Sequence, residues 1–223
     1  IRKIGFPLVD SVVRRSFIAT GGTVLATKLA LNYGIACNTA GGSHHATSNE
    51  GAGFCVFNDV AVAAKYLTSR GLANKILIID LDVHQGNGNS EIFKNDNQVF
   101  TFSMHSKVNY PAKKSVSDLD IELEENLEDR EYIDILKNNL KYLNEEEFDF
   151  VFYIAGVDIH YNDRLGKLKI SDNGIFERDE LVIDNFFSNK IPICGVLGGG
   201  YNEDFNKLVE LHSSLHKTCA KFL

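Results

Sequence analysis

Short apolar runs alternate with apolar stripes of helical period along the chain. A helical stripe ends near Gly34, and similar stripes predict further helices over residues 58–70, 129–144, 177–189 and 203–222. Strand-sized apolar runs predict strands over residues 35–39, 75–81, 98–104, 148–155 and 191–197. The charged stretch 106–128 is predicted to be a surface loop with one short edge strand. This alternation predicts one α/β domain over residues 1–223, in three layers, with helices on both faces of a mainly parallel sheet.

Composition narrows the class of protein. The 223 residues are 44% apolar and carry a net charge of −7, which argues against general binding to nucleic acid or to anionic membranes. The apolar runs are too short to predict a membrane span. The four cysteines form no CxxC pair, so we expect free thiols in a reduced cytoplasmic protein. The chain starts without Met inside what reads as a connecting segment, so we expect an N-terminal portion to precede it.

Unusual polar residues follow four of the predicted strands. In chain order these clusters are His44 with His45, Asp82 with His84, Asp158, and the Gly-Gly-Gly-Tyr stretch 198–201. The carboxyl ends of parallel strands share one edge of a sheet, which is where α/β proteins bind ligands. The four clusters therefore predict a single site.

The segment around the second cluster carries the strongest signal for a metal. In an extended chain Asp80, Asp82 and His84 would share one face, and burying them is costly unless they are paired or bind a cation. The alternative is an ordinary strand end with exposed acids. With Asp158 as third ligand the site keeps a position open for water, as catalytic zinc sites do. Zn²⁺ is the default metal and Fe²⁺ the alternative, while His160 is a competing ligand.

The remaining clusters suggest acid–base chemistry beside that metal. Asp80 is expected to orient His44, and the two histidines would then move protons between water and a leaving amine, although alone they could be a surface turn. The glycine run is expected to take positive φ, to approach a ligand closely and to place the phenol of Tyr201 against an oxyanion. It lacks the GxxxxGK[ST] pattern of a phosphate loop.

Five motifs in this order resemble the histone deacetylase family. They occupy residues 42–46, 50–55, 57–59, 80–88 and 197–201. The Asp-Leu-Asp-Val-His-Gln-Gly-Asn-Gly form of the fourth motif is most similar to the class IV branch and its bacterial relatives. The resemblance implies an arginase/deacetylase-type α/β fold and hydrolysis of an acylated lysine or amine.

The resemblance also implies roles for particular residues. The zinc ligands would be Asp82, His84 and Asp158, and the catalytic residues His44, His45, Asp80 and Tyr201. The substrate would contact Gly53, Phe54, Tyr110 and Gly199. A potassium ion would take oxygens from Asp80, Asp82, His84, Ser103 and Met104.

The chain departs from the family pattern in two ways. Many members have a histidine and an aspartate where this chain has Gln85 and Asn87. His45 would then face a neutral amide, which lowers the pKa of its imidazole and favours the neutral base. The family's N-terminal portion is also missing from the sequence.

We expect a zinc-dependent amidohydrolase that removes acetyl or longer acyl groups from lysine or related amines. One rival is a deacylase of acetylpolyamines or other small amides, and another is a non-catalytic module that binds acyl-lysine. Arginase-like two-metal chemistry would need more carboxylates than Asp80 and Asp82 offer. The sequence leaves the acyl length, the substrate and the oligomeric state open.

Overall fold

Strands and helices alternate through residues 3–7 and 9–222, the part of the chain described by this computed structural model. The helices are α1 (Asp10–Tyr33), α2 (Asp59–Ser69), α3 (Asn87–Phe93), α4 (Asp129–Leu143), α5 (Asp172–Ser188) and α6 (Phe205–Cys219). The strands are β1 (Ile35–Cys37), β2 (Ile76–Asp80), β3 (Val99–Ser106), β4 (Leu119–Leu123), β5 (Phe150–Ile154) and β6 (Ile193–Val196). Among these residues no helix is long and apolar enough to cross a membrane.

The six strands form one sheet in the order β1-β6-β5-β2-β3-β4, and every neighbouring pair is parallel. Side chains alternate between its two faces, because successive residues of a strand point to opposite sides. On β2, Leu77 and Ile79 pack into the core shared with α4, α5 and α6, while Ile76 and Ile78 pack toward α1, α2 and α3. The predicted three-layer arrangement is therefore confirmed.

Local signals explain where several helices begin and end. Asn58 caps α2 by accepting a hydrogen bond from the N–H of Ala61 at 2.9 Å. Gly34 ends α1 in the left-handed region, with φ +85°. α5 begins at Asp172, earlier than predicted, because Ser171 accepts a hydrogen bond from the N–H of Gly174 at 3.2 Å.

The short helix α3 was not predicted, since its sequence is rich in Asn and Gly, which are poor helix formers. Tertiary hydrogen bonds support it instead. The N–H of Gly88 donates to the carbonyl of His44 at 2.9 Å, and Asn58 Nδ2 donates to Asn89 Oδ1 at 2.8 Å. α3 therefore lies against the segment that carries His44.

Candidate active site

Three side chains converge just beyond the carboxyl ends of β2 and β5. One donor atom each of Asp82, His84 and Asp158 lies within 4.8 Å of the others. His84 Nδ1 is 3.0 Å from Asp82 Oδ1 and 3.0 Å from Asp158 Oδ2. Both aspartates are fully buried, and among the described residues their ion pairs are with histidines alone. Two buried carboxylates and an imidazole directed at one point suit a divalent cation.

The chain bends to bring these side chains together. β2 ends at Asp80, and residues 82–84 turn away from the strand direction. The expectation that Asp80, Asp82 and His84 share one strand face is therefore wrong. Asp80 faces His44 across 2.7 Å, whereas Asp82 faces His84.

Main-chain groups hold both carboxylates in place. The N–H of Val83 donates to Asp158 Oδ1 at 2.9 Å, and the N–H of Gly199 donates to Asp82 Oδ2 at 2.5 Å. A Cβ added at Gly199 would overlap Asp158 Oδ2. The glycine run thus lets the backbone approach carboxylates, and not a ligand as expected. The expected positive φ is also wrong, because residues 198–200 are not among those with positive φ.

The electrostatics of this cluster place a proton where a cation would bind. Burial opposes the charged form of His84, but Asp158 and Asp82 outweigh it and raise its pKa to about 10. Burial and the charge of Asp82 raise the pKa of Asp158. A divalent cation would replace that proton as the partner of both carboxylates. The residues therefore fit a metal ion.

The histidine pair lies beside this cluster, and each ring has its own partner. His44 Nδ1 donates to Asp80 Oδ2 at 2.7 Å, and His45 Nδ1 donates to Asn87 Oδ1 at 2.7 Å, because both oxygens can only accept. Burial favours neutral His44, but the charges of Asp80 and Asp82 raise its pKa to about 9. Burial and the charge of His44 hold the pKa of His45 well below its usual value.

A buried carboxylate, Asp59, holds the turn that carries the histidines. It accepts hydrogen bonds from Thr23 Oγ1 at 2.6 Å, from the N–H of Ser43 at 2.8 Å and from the N–H of Gly42 at 3.2 Å. Gly42 has φ +77°, which glycine adopts without strain. Asp59 was not identified as a site residue from the sequence. Its position, as a charged residue at the start of an otherwise apolar helix, was the signal that could have identified it.

A cavity of about 380 Å³ opens beside His45. Its walls include six of the predicted site residues: His45, Gly53, Phe54, His84, Tyr110 and Tyr201. Phe54 and Tyr110 are 49% and 44% exposed, so they form the mouth of the cavity. A Cβ at Gly53 would overlap the His45 ring, which explains the glycine.

Tyr201 is anchored through its backbone. Its N–H donates to Asp163 Oδ2 at 2.6 Å, while Asp163 Oδ1 accepts from Leu165 and Gly166 at 2.9 Å each. The Tyr201 ring lies 6.2 Å from the His84 ring, centroid to centroid. Burial and the charges of Asp82 and Asp158 raise its phenol pKa, so the group stays protonated and can donate. Asp163 was not identified from the sequence.

A fully buried arginine on α5 supports the two loops that carry Asp82 and Asp158 from behind. Arg178 Nη1 donates to the carbonyl of Gly156 and contacts that of Leu81 at 3.5 Å. Leu81 directly precedes Asp82, and Gly156 lies two residues before Asp158. Asp179 Oδ1 balances the guanidinium charge, accepting from Nη2 at 2.8 Å. Neither residue was singled out from the sequence.

Other predicted residues lie apart from the cavity. His160, the competing ligand, faces Asp172 instead, with Nε2 2.9 Å from Oδ1. Gly199 is not among the described residues that line the cavity, and its N–H is committed to Asp82. Ser103 is paired with Asp80 in the sheet, with Met104 next on β3, so these potassium candidates adjoin the site. The potassium ion stays a prediction.

Comparison with known proteins identifies the family. The histone deacetylase domain model matches residues 3–215. An uncharacterised protein of Picosynechococcus sp. is 49% identical over 97% of this chain and 72% of that protein. Histone deacetylase 2 of Arabidopsis thaliana is 36% identical, over 85% of this chain and 50% of that protein. The acetoin utilization protein AcuC of Staphylococcus aureus is 30% identical, over 85% of this chain and 52% of that protein. The chain spans about half the length of these last two relatives.

Solved structures share the fold. An acetylpolyamine aminohydrolase from Burkholderia pseudomallei superposes with a TM-score of 0.80 at 20% identity, covering 94% of this chain and 63% of that one. A histone deacetylase homologue from Aquifex aeolicus gives a TM-score of 0.77 at 27% identity, covering 94% and 57%. The first likeness concerns the fold alone. Together with the domain match over nearly the whole sequence, these findings show that the chain belongs to the histone deacetylase family.

Proposed function

We propose that this chain is the catalytic domain of a zinc-dependent amidohydrolase that removes acetyl or longer acyl groups from lysine side chains or related amines. The observation that carries the proposal is the buried cluster of Asp82, His84 and Asp158, adjoining a cavity lined by His45 and Tyr201. Family membership supports the same reaction class.

Asp82, His84 and Asp158 would hold the metal, with zinc as the default and Fe²⁺ as the alternative for this set of ligands. When bound, the metal would polarise the acyl carbonyl and lower the pKa of the attacking water. The N–H group of Val83 holds Asp158 Oδ1, and the N–H group of Gly199 holds Asp82 Oδ2. Asp82 Oδ1 and Asp158 Oδ2 therefore stay directed at His84 Nδ1, and these three atoms would hold the metal.

His45 is the group that takes the proton from the attacking water. Its Nδ1 donates to Asn87, which leaves Nε2 with a free lone pair. The charge of neighbouring His44 disfavours a second positive charge, so protonated His45 is a strong acid. It therefore returns the proton readily to the leaving amine. His45 therefore acts first as a neutral base and then, once protonated, as an acid.

Tyr201 supplies a hydrogen bond to the developing oxyanion. Its phenol stays protonated because burial and two nearby carboxylates raise its pKa. Asp163 fixes the backbone of Tyr201, and contact with the rings of Phe54 and His84 limits where the side chain can lie. A pre-positioned donor of this kind stabilises the transition state more than the substrate.

The charge of the cavity favours acyl-lysine over acylpolyamine. None of the described residues that line it is Asp or Glu, and the mouth is aromatic. Lys3, which also lines it, is paired with Glu50 at 2.7 Å. A lysine side chain acylated at its nitrogen is neutral, whereas a polyamine keeps further cationic nitrogens that would find no carboxylate partner there. We therefore rank the polyamine substrate second.

Release of free amine from acyl-lysine peptides tests the proposal. The panel runs from acetyl- to myristoyl-lysine peptides, with an acetylated polyamine alongside, and each is assayed with zinc-loaded protein, after chelation and after zinc is restored. We expect hydrolysis of at least one peptide, lost on chelation and recovered with zinc. Peptides that bind zinc-loaded protein without being hydrolysed would support the rival binding module.

A further inference from the structure

Two thiols that are 182 residues apart in sequence meet where β1 packs against α6. Cys37 Sγ lies 2.7 Å from Cys219 Sγ, and both cysteines are free. A disulfide bond is about 2.05 Å long, so the sulfurs need to move by less than an ångström to bond. We propose that Cys37 and Cys219 form a redox-active pair whose reversible oxidation by a peroxide cross-links β1 to α6.

The surroundings of Cys37 make it the sulfur that reacts first. β1 is an edge strand and Cys37 is partly exposed, whereas Cys219 is 6% exposed. The hydrogen bond from Cys219 lowers the pKa of Cys37. Burial acts in the opposite direction, but His216, which lies one helical turn before Cys219, lowers the pKa further. The thiolate is the nucleophile in thiol oxidation, so a lowered pKa favours attack by Cys37.

The pair has room to form its bond. Gly195 on β6 is the sheet neighbour of Cys37, and a Cβ added there would lie 3.1 Å from Cys37 Sγ. Glycine at this position leaves the space that the two sulfurs occupy. The pair therefore lies in a gap between β1, β6 and α6.

The other two cysteines lack these features. Cys194 is fully buried on the opposite face of the sheet, in the core shared with α1 and α2. Burial raises the pKa of Cys194 and raises that of Cys55 to about 12, which keeps both as inert thiols. Oxidation should therefore be confined to Cys37 and Cys219.

The oxidation balances with hydrogen peroxide as oxidant. The Cys37 thiolate attacks one peroxide oxygen and breaks the O–O bond, giving a sulfenic acid and a hydroxide that takes up a proton to become water. The sulfur of Cys219 then attacks the sulfur of Cys37. The S–S bond forms, and the displaced hydroxide leaves with the proton of Cys219 as a second water. Two thiols lose two electrons and one peroxide becomes two waters, while a dithiol reductant reverses the change by exchange.

The cross-link would join two elements that lead to the cavity. β1 leads into the turn with His44 and His45, and α6 follows the loop that carries Tyr201. Joining residues this far apart removes freedom from the unfolded chain. We therefore expect the oxidised protein to unfold at a higher urea concentration than the reduced protein.

The test oxidises the reduced, purified protein with a small excess of hydrogen peroxide. Free thiols are then counted after denaturation, and peptides are mapped by mass spectrometry without reductant. We expect two of the four thiols to disappear, one peptide linking Cys37 to Cys219, and full recovery of thiols with dithiothreitol. The Cys37→Ser and Cys219→Ser variants should each lose the linked peptide. The Cys194→Ala variant is the matched control and should keep it.

Two results would overturn the proposal. One is wild-type protein in which Cys37 is oxidised to a sulfinic acid while Cys219 stays a free thiol. The other is any cross-link that survives in the Cys37→Ser variant. The first of these results is read on wild-type protein, so it does not depend on how well a serine variant folds.

Discussion

His44 and His45 are neighbours in the chain but differ in charge at neutral pH. A carboxylate, Asp80, accepts from His44, while an amide, Asn87, accepts from His45. The charged partner raises the pKa of the first imidazole to about 9, and the charge on the first lowers the pKa of the second. One neutral base and one cation therefore stand side by side.

Replacing Asn87 by Asp should change the pH dependence of hydrolysis. A carboxylate beside Nδ1 stabilises protonated His45 and raises its pKa. The base must be neutral to act. As the pH is lowered, the variant should therefore lose activity earlier than the wild type, and the acidic limb of kcat/KM against pH should move to higher pH. Asn95→Asp, at an exposed position, makes the same change in net charge and should leave the limb in place. An unmoved limb in Asn87→Asp would remove His45 as the base.

Replacing Tyr201 by Phe should separate turnover from metal binding. Loss of one donor to an oxyanion typically lowers kcat by about 10²–10³-fold. Zinc affinity should be unchanged, because Tyr201 is not part of the ligand cluster. Tyr161→Phe, at a tyrosine that is 53% exposed, is the control and should keep full turnover. Near-normal turnover of Tyr201→Phe would mean that the phenol does not contact the reacting carbonyl.

At the scale of elements, prediction succeeded where a local pattern determines the structure. The buried apolar run that became β2 and the helix that follows residue 58 could be predicted directly, and so could the polar residues after β2 and β5. The residues that hold the site in place could not be predicted, because they contact it only through tertiary packing. Asp163 and Arg178 look like ordinary charged residues in sequence, and only the packing of the loop and of α5 brings them to Tyr201 and Gly156. The packing of α6 against β1 could not be predicted either, because the spacing of residues along the chain does not indicate it.

Replacing Arg178 by Met should destabilise the fold strongly. The change leaves Asp179 buried without its cation and the carbonyl of Gly156 without a donor. Breaking a buried pair in this way costs about 3–5 kcal/mol. Urea denaturation measures the effect. Lys221→Met removes the exposed pair with Glu180 and should cost no more than about 1 kcal/mol. Equal effects of the two variants would contradict the bracing role of Arg178.

At the scale of the whole molecule, the residues of the candidate site lie along one edge of an all-parallel sheet. The segments after β1, β2, β5 and β6 each contribute to the cavity or to the ligand cluster. The rest of the fold therefore compensates for the unfavourable burial of Asp82 and Asp158 close together, and a bound cation would reduce that cost. Metal binding would then be coupled to folding stability in this domain.

Zinc affinity should consequently rise with pH. His84 has a pKa of about 10 in the metal-free fold against a reference of 6.5. The stability that its proton adds is complete below pH 6.5 and is lost as the pH rises through about 10. Zinc needs neutral His84, so binding in this window releases a proton and tightens by about tenfold per pH unit at most. Chelator competition measures the affinity, and calorimetry in two buffers counts the proton. Affinity that does not vary with pH would contradict the assigned ligand.

The most direct test of the central claim is the zinc content of purified protein after chelation, reloading and removal of unbound metal. The account predicts one zinc per chain in the wild type and its loss in Asp158→Asn, because the amide is a poorer ligand than the carboxylate. His160→Asn, which changes the histidine that faces Asp172, should retain the zinc. Zinc retained in Asp158→Asn but lost in His160→Asn would contradict the site built from Asp82, His84 and Asp158.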